Sequence, residues 1–156
     1  MPVDDAAFKE ALSHFASGVT VVTTEHDGKP YGMTVASFAS LSLRPPLVLV
    51  CIEKAVKTHD AIAAAGKFGV SILTKEQSGV SNRFASKSDD KFSGVALVAG
   101  AIGVPLIAGA LTTLECNVAQ QLPGGDHSIF VGEVVATSSG VGEPLVYYRS
   151  GYRDIT

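Results

Sequence analysis

The sequence has no tryptophan, only two cysteines and few charges: 17% of its 156 residues are charged, against 46% hydrophobic. Each scarcity excludes something. Cys51 and Cys116 lie far apart in apolar, strand-like runs, which predicts buried thiols of a reducing cytoplasm and argues against a disulfide framework or a metal pair. Twelve basic and fifteen acidic residues leave a net charge of -3 with no basic cluster, so nucleic acid is not an expected partner. The opening MPVDDAAFKE carries acids where an export signal needs basic residues and an apolar core. GxGxxG, GxxxxGK[ST] and GxSxG are all missing, and no His or Cys pair has metal-site spacing. A standard nucleotide fold, a hydrolase elbow and a zinc site are therefore unsupported.

One uncharged run, Val95 to Leu114, is about as long as a membrane span. Gly100, Gly103, Pro105 and Gly109 break it, and no basic flank orients it, so two buried strand or loop segments joined by a turn are expected and no membrane helix. The low charge has a second consequence: much of the surface should meet another subunit or a flat organic ligand. At this length a single domain over residues 1–156 is expected, burying roughly 70% of the unfolded surface.

What is present reads mainly as strand. Asp4 or Asp5 is placed to cap a helix whose Phe8, Ala11, Leu12 and Phe15 fall at i, i+3, i+4 and i+7, with Gly18 closing it, so one stripe should pack. Ser17–Thr24 and the run from Tyr31 to Val35 flank Asp27-Gly28, the signature of a hairpin. Leu47–Ile52 is apolar throughout and reads as a strand covered on both faces. Thr58 stands as the cap of a short helix that Gly66 stops, Phe68–Thr74 returns as a strand, and Lys75–Phe84 fits a second short helix. Two long β-prone runs, Leu111–Leu122 and His127–Ser139, surround PGGD, and Leu145–Tyr148 offers a last strand. At least six strands with three short helices favour a closed or nearly closed antiparallel β-barrel over a βαβ sheet.

The stretch GMTVASFASLSLRPP threads Thr34, Ser37, Ser40 and Ser42 between apolar residues. Residues two apart on an extended chain share a face, so Ser40 and Ser42 point together, and a bend near Ala36–Phe38 could bring Thr34 and Ser37 to the same wall. Such a wall would suit a carbonyl-rich ring with a polyol tail and phosphate. The alternative is that these hydroxyls satisfy local backbone in a bulged strand. Of four scattered histidines, His14 and His26 read as surface positions and His59 as part of a helix's first turn. Only His127 falls between a glycine-rich turn and a strand, where a backbone-satisfied strand start is the plain reading.

GMTVASFASLSLRPPLVLVCI resembles the flavin-contacting strand-loop-strand of the short-chain flavin reductases. These are the small reductase components of two-component flavin-dependent monooxygenases, such as those acting on 4-hydroxyphenylacetate. FASGVTVVTT, FGVSIL, NRFASKSDDKF, GVPLIAGALTTLECNV, GGDHSIFVGEV and PLVYYRSGYR resemble that family in the same order. The resemblance implies a mainly β, FMN-binding split barrel, a homodimer with flavin near the subunit interface, and NADH or NADPH reducing FMN or FAD for a separate oxygenase. It places Met33, Thr34, Val35, Ala36 and Ser37 along the isoalloxazine and ribityl chain, and Ser40, Leu41 and Ser42 towards the phosphate.

Glu53, Lys54 and Ala55 follow on the next strand. Ala55 and Val56 depart from the family's small polar residues, with Lys57 and Thr58 compensating at a helix start. Asn82, Arg83 and Phe84 match the segment closing over the flavin, Arg83 being either a phosphate partner or a solvated charge. His127 matches the family histidine at the nicotinamide end of the site, with the role of orienting the nicotinamide, and Tyr152 a tail residue bordering the ring pocket; Asp126, read from its place in the turn, shapes that turn and does not react. Two other readings stay open: a flavin carrier or redox-sensing module without nicotinamide turnover, and a split-barrel oxidase or pyridoxamine-phosphate-binding relative.

Overall fold

The structure, a computed structural model, describes residues 1–155. Helix α1 (Asp5–Leu12) starts as expected, with the Asp4 carboxylate accepting the Ala7 N–H at 2.8 Å. It stops at Ser13, short of Gly18, because the chain already turns there into a two-residue strand, β1 (Ser17–Gly18). The apolar stripe of α1 does not pack within the chain: Phe8, Leu12 and the following Phe15 are 57%, 54% and 78% exposed.

The single strand expected over Ser17–Thr24 is two strands serving different sheets. After β1, strand β2 (Thr20–His26) turns through Asp27 and Gly28 into β3 (Lys29–Val35). Both turn residues have positive φ, 51° and 75°, as a two-residue hairpin turn that matches strand twist requires. Next come β4 (Phe38–Ser42), β5 (Leu47–Glu53), helix α2 (Lys57–Ala65) and β6 (Lys67–Ile72). Gly66, in the left-handed region at φ 71°, ends α2 as expected. A 3₁₀ turn at Lys75–Gln77 leads into α3 (Ser78–Ala85). The uncharged run becomes a hairpin of two short strands, β7 (Leu97–Ala99) and β8 (Pro105–Ile107), with β8 largely buried and β7 exposed. Among the described residues no helix is long and apolar enough to cross a membrane. Two long strands, β9 (Thr112–Gly124) and β10 (His127–Ser139), precede β11 (Val146–Tyr148) and an unanticipated β12 (Gly151–Arg153).

Seven strands form one antiparallel sheet in the order β3-β2-β6-β9-β10-β5-β4. Its two edge strands, β3 and β4, are consecutive in the chain, joined by Ala36 and Ser37. The sheet therefore bends round until its ends meet at that corner, where the Ser37 carbonyl accepts the Cys51 N–H at 3.1 Å. This is the mainly β, antiparallel split barrel expected.

Inside it, Val22, Val48, Val50, Ile52, Phe68, Val70, Cys116 and Phe130 meet Ile62 of α2. Gly132 is there because nothing larger fits: a Cβ would stand 2.6 Å from Phe68 Cζ and 2.7 Å from Cys116 Cβ. Burial, with the charge of Glu115 adding to it, pushes the Cys116 thiol up to about 12. Strand β5 departs from the sequence reading. Val48, Val50 and Ile52 are buried, but Leu47, Leu49 and Cys51 are only half-buried, because their face is the outside of the barrel wall. A smaller cluster of Val19, Val21, Leu73, Phe84, Ile107 and Leu145 seats α3.

Candidate active site

A cavity of about 640 Å³ opens where the barrel splits. One wall is β3 from Lys29 to Thr34; the second is Glu53 at the end of β5 with residues 55–58; the third is Phe84 and the loop that follows α3. Gly32 lets the first and third walls approach, since a Cβ there would lie 3.0 Å from both Phe84 Cε1 and Phe92 Cζ. Those two rings meet edge to face at 5.0 Å.

Polar contacts hold the loop over the cavity. Arg83 donates from Nε to the Lys91 carbonyl at 2.6 Å, and from Nη2 to the carbonyls of Asp90 at 3.0 Å and Ser93 at 2.5 Å. Lys91 Nζ crosses to the carbonyls of Gly32 at 3.2 Å and Phe84 at 3.1 Å, and its partial burial lowers its pKa. Lys57, the first residue of α2, donates to Asp89 Oδ1 at 3.1 Å. That hydrogen bond and the lysine's charge hold the Asp89 carboxyl below its ordinary range.

Of the residues singled out in the sequence, Met33, Thr34, Glu53, Ala55, Lys57, Thr58 and Phe84 line this cavity. The four hydroxyls do not form one wall. Thr34 Oγ1 donates to the Ser81 carbonyl at 2.6 Å, and Ser37 Oγ to the Cys51 carbonyl at 3.0 Å, so both satisfy backbone. A bulge puts Ser40 opposite Val48 and Ser42 opposite Leu47. Because Leu47 and Val48 are successive residues of β5, Ser40 and Ser42 face opposite ways and do not point together as an unbulged strand would have them.

Val35 is buried in the barrel core, while Ala36 and Leu41 lie exposed beyond the corner. Thr58 is not a cap: the cap position is Val56, with no side-chain hydrogen bond, and Thr58 is buried in the first turn. Arg83 spends its donors on three carbonyls and orders the loop; it does not line the cavity. Asn82 Oδ1 accepts from Tyr152 OH at 2.8 Å, which in turn lies 2.7 Å from Ser81 Oγ, so Tyr152 fastens α3 from the tail.

His127 opens β10 in register with Glu53; Glu53 lines the cavity, and His127 stands on the next strand outside its lining. It is half-exposed and donates from Nδ1 to Asp126 Oδ1 at 2.7 Å, which leaves Nε2 for other contacts. The bond and the imidazole charge hold Asp126 below the ordinary carboxylate range. The Asp126 carbonyl also accepts the exposed Lys54 N–H at 2.9 Å, closing the turn against the end of β5.

The family model described as a flavin reductase like domain matches residues 12–156. The chain belongs to the flavin reductase family. Among the relatives of this flavin reductase domain is the reductase component of 4-nitrophenol 4-monooxygenase/4-nitrocatechol 2-monooxygenase of Rhodococcus opacus. The two are 46% identical over 97% of this chain and 81% of that protein. The 4-hydroxyphenylacetate 3-monooxygenase reductase component of Thermus thermophilus is 44% identical over 94% of both chains. A solved NADH:FAD oxidoreductase of Streptomyces globisporus superposes with a TM-score of 0.95 at 38% identity, over 100% of this chain and 96% of that one. It has also been solved with NAD and FAD fragments.

The cavity's own chemistry fits a flavin. Met33, Val56 and Phe84 offer apolar surface, the unpaired edge of β3 offers backbone donors and acceptors, and Lys57 offers a cation at a helix start. Sequence reasoning missed Lys29, Tyr31, Lys87, Asp89, Lys91 and Phe92, which also line it. The quoted motif NRFASKSDDKF held four of these, but the resemblance assigned roles in it only to Asn82, Arg83 and Phe84.

Proposed function

We propose that this flavin reductase takes hydride from NADH or NADPH, delivers it to FMN or FAD, and releases reduced flavin to a separate oxygenase component. The observation that carries the reading is the cavity at the barrel split, apolar between β3 and Phe84 and cationic at α2, with His127 on the strand beside its lining residue Glu53. When bound, the flavin accepts hydride and the nicotinamide supplies it, so the bond changes need no acid–base pair from the protein. The chain's residues bind, orient and exclude water. Met33, Thr34 and the edge of β3 hold the ring; Lys57, Thr58 and the first N–H groups of α2 hold the phosphate. His127, its ring fixed by Asp126, orients the nicotinamide.

We extend the reading to one domain over 1–156 working as a homodimer. The exposed Phe8, Leu12 and Phe15 and the half-buried outer face of β5 support it, being apolar surface that a second copy would cover. The free thiols of Cys51 and Cys116 support a cytoplasmic setting.

The test is steady-state oxidation of NADH and NADPH with added riboflavin, FMN or FAD, together with a His127→Ala variant. Turnover should require free flavin, and the variant should lose on the order of tenfold to a hundredfold in nicotinamide kcat/KM with its flavin Kd little changed. Flavin binding without nicotinamide oxidation would leave the carrier reading in its place. Equal loss of turnover and flavin affinity in the variant would remove the role given to His127.

A further inference from the structure

Lys57, on the reading above the phosphate partner, is already engaged. Its ammonium sits 3.1 Å from Asp89 Oδ1, and the two residues belong to different walls of the cavity, α2 and the loop after α3. The other cations lining the cavity do not compete for this carboxylate in the same way: Lys87 makes no ion pair with it. Lys91 is committed to two backbone carbonyls, and Lys29 Nζ stands 5.3 Å over the Tyr31 ring. The pKa of Asp89 is lowered chiefly by its hydrogen bond to Lys57 and that lysine's charge, with the more distant charge of Lys29 assisting.

A carboxylate in that position occupies the partner a phosphate needs. We infer that Asp89 is an affinity-setting residue: it competes with the flavin's phosphate for Lys57, and so keeps phosphorylated flavin exchangeable. The inference rests on the placement of the phosphate at Lys57. No covalent step is involved; one anion replaces another on a single ammonium group, and the displaced carboxylate returns to water. The loop carrying Asp89 is freed from α2 at the same moment, so entry of the phosphate loosens the wall beside it. Both partners are largely exposed, so the competition is worth a factor of about two to five, shrinking as salt rises. A reductase that hands its product to another protein needs that kind of modest, adjustable affinity.

The test measures Kd for riboflavin, FMN and FAD by flavin fluorescence on the full chain, comparing wild type, Asp89→Asn, Lys57→Gln and the double variant. Asp89→Asn should tighten FMN about two- to fivefold at low salt. It should leave riboflavin, which has no phosphate, unchanged; that result also shows the site is intact. Lys57→Gln should weaken FMN, and in the double variant the gain from Asp89→Asn should vanish. If Lys57→Gln weakens FMN while Asp89→Asn does nothing, competition is overturned and the phosphate placement stands. If riboflavin tightens as much as FMN, Asp89 acts by blocking the mouth and the inference fails. If Lys57→Gln alters neither flavin, the phosphate placement itself fails and the inference goes with it.

Discussion

Around Gly132 the barrel is filled by Phe68 and Cys116 at van der Waals contact, both fully buried; around residues 86–91 the contacts are charged or carbonyl-directed, and most of the side chains are exposed. The first region gains its stability from apolar area removed from water and from close packing, neither of which can be rearranged cheaply. The second is held by bonds that water or a ligand can replace. Local opening costs least where buried apolar contacts are few. The cavity therefore lies between a rigidly packed barrel and an exchangeable loop.

The largest effect should come from breaking the packed region. Phe68→Ala removes a ring from the barrel centre and should cost about 3–5 kcal/mol of stability, read from denaturant midpoints. A loss under about 1 kcal/mol would mean the barrel wall is no better packed than the loop. Arg83→Ala tests the opposite side. It frees the carbonyls of Asp90, Lys91 and Ser93, so flavin Kd should rise roughly tenfold while the denaturant midpoint moves little. Proteolysis of the loop should become faster in the same variant, and a large midpoint shift would place Arg83 with the core instead.

The smallest effect concerns pH at the Asp126–His127 corner. Asp126 has a folded pKa below its unfolded value, so its contribution is present above about pH 4 and is lost as pH falls through the depressed value. Asp126→Asn should therefore lose a small stabilisation at neutral pH, flatten the acid limb of the stability curve below about pH 4, and match the wild type once pH has fallen below the depressed value.

Local signals were the legible ones. Asp27-Gly28 gave the hairpin, and Gly66 gave the end of α2, because each requires a backbone conformation that few other residues adopt. The break between β1 and β2 was not visible. Val19 is as strand-prone as its neighbours, and only its partners, β11 before it and β6 after it, separate the two. The bulge at Leu41 was hidden for the same reason, since register is a property of the pair and not of one strand. Capping misled at α2, where Val56, which offers no side-chain oxygen, takes the position that Thr58 looked suited to. The cavity's lysines and Asp89 were the hardest to read. A charge on a loop carries no mark of whether it faces solvent or a shared cleft, and only the meeting of β3, α2 and the α3 loop decides it.

Strand β3 is paired on one side alone, by β2, and its other margin lines the cavity. An open strand margin normally invites another strand; here it faces a cavity, where, on the proposed function, the carbonyls and ring nitrogens of a flat heterocycle would bond to main chain as a neighbouring strand would. Recognition by main chain survives changes of side chain. On the flavin placement proposed above, substitutions at Met33 and Thr34 would leave those main-chain groups in place.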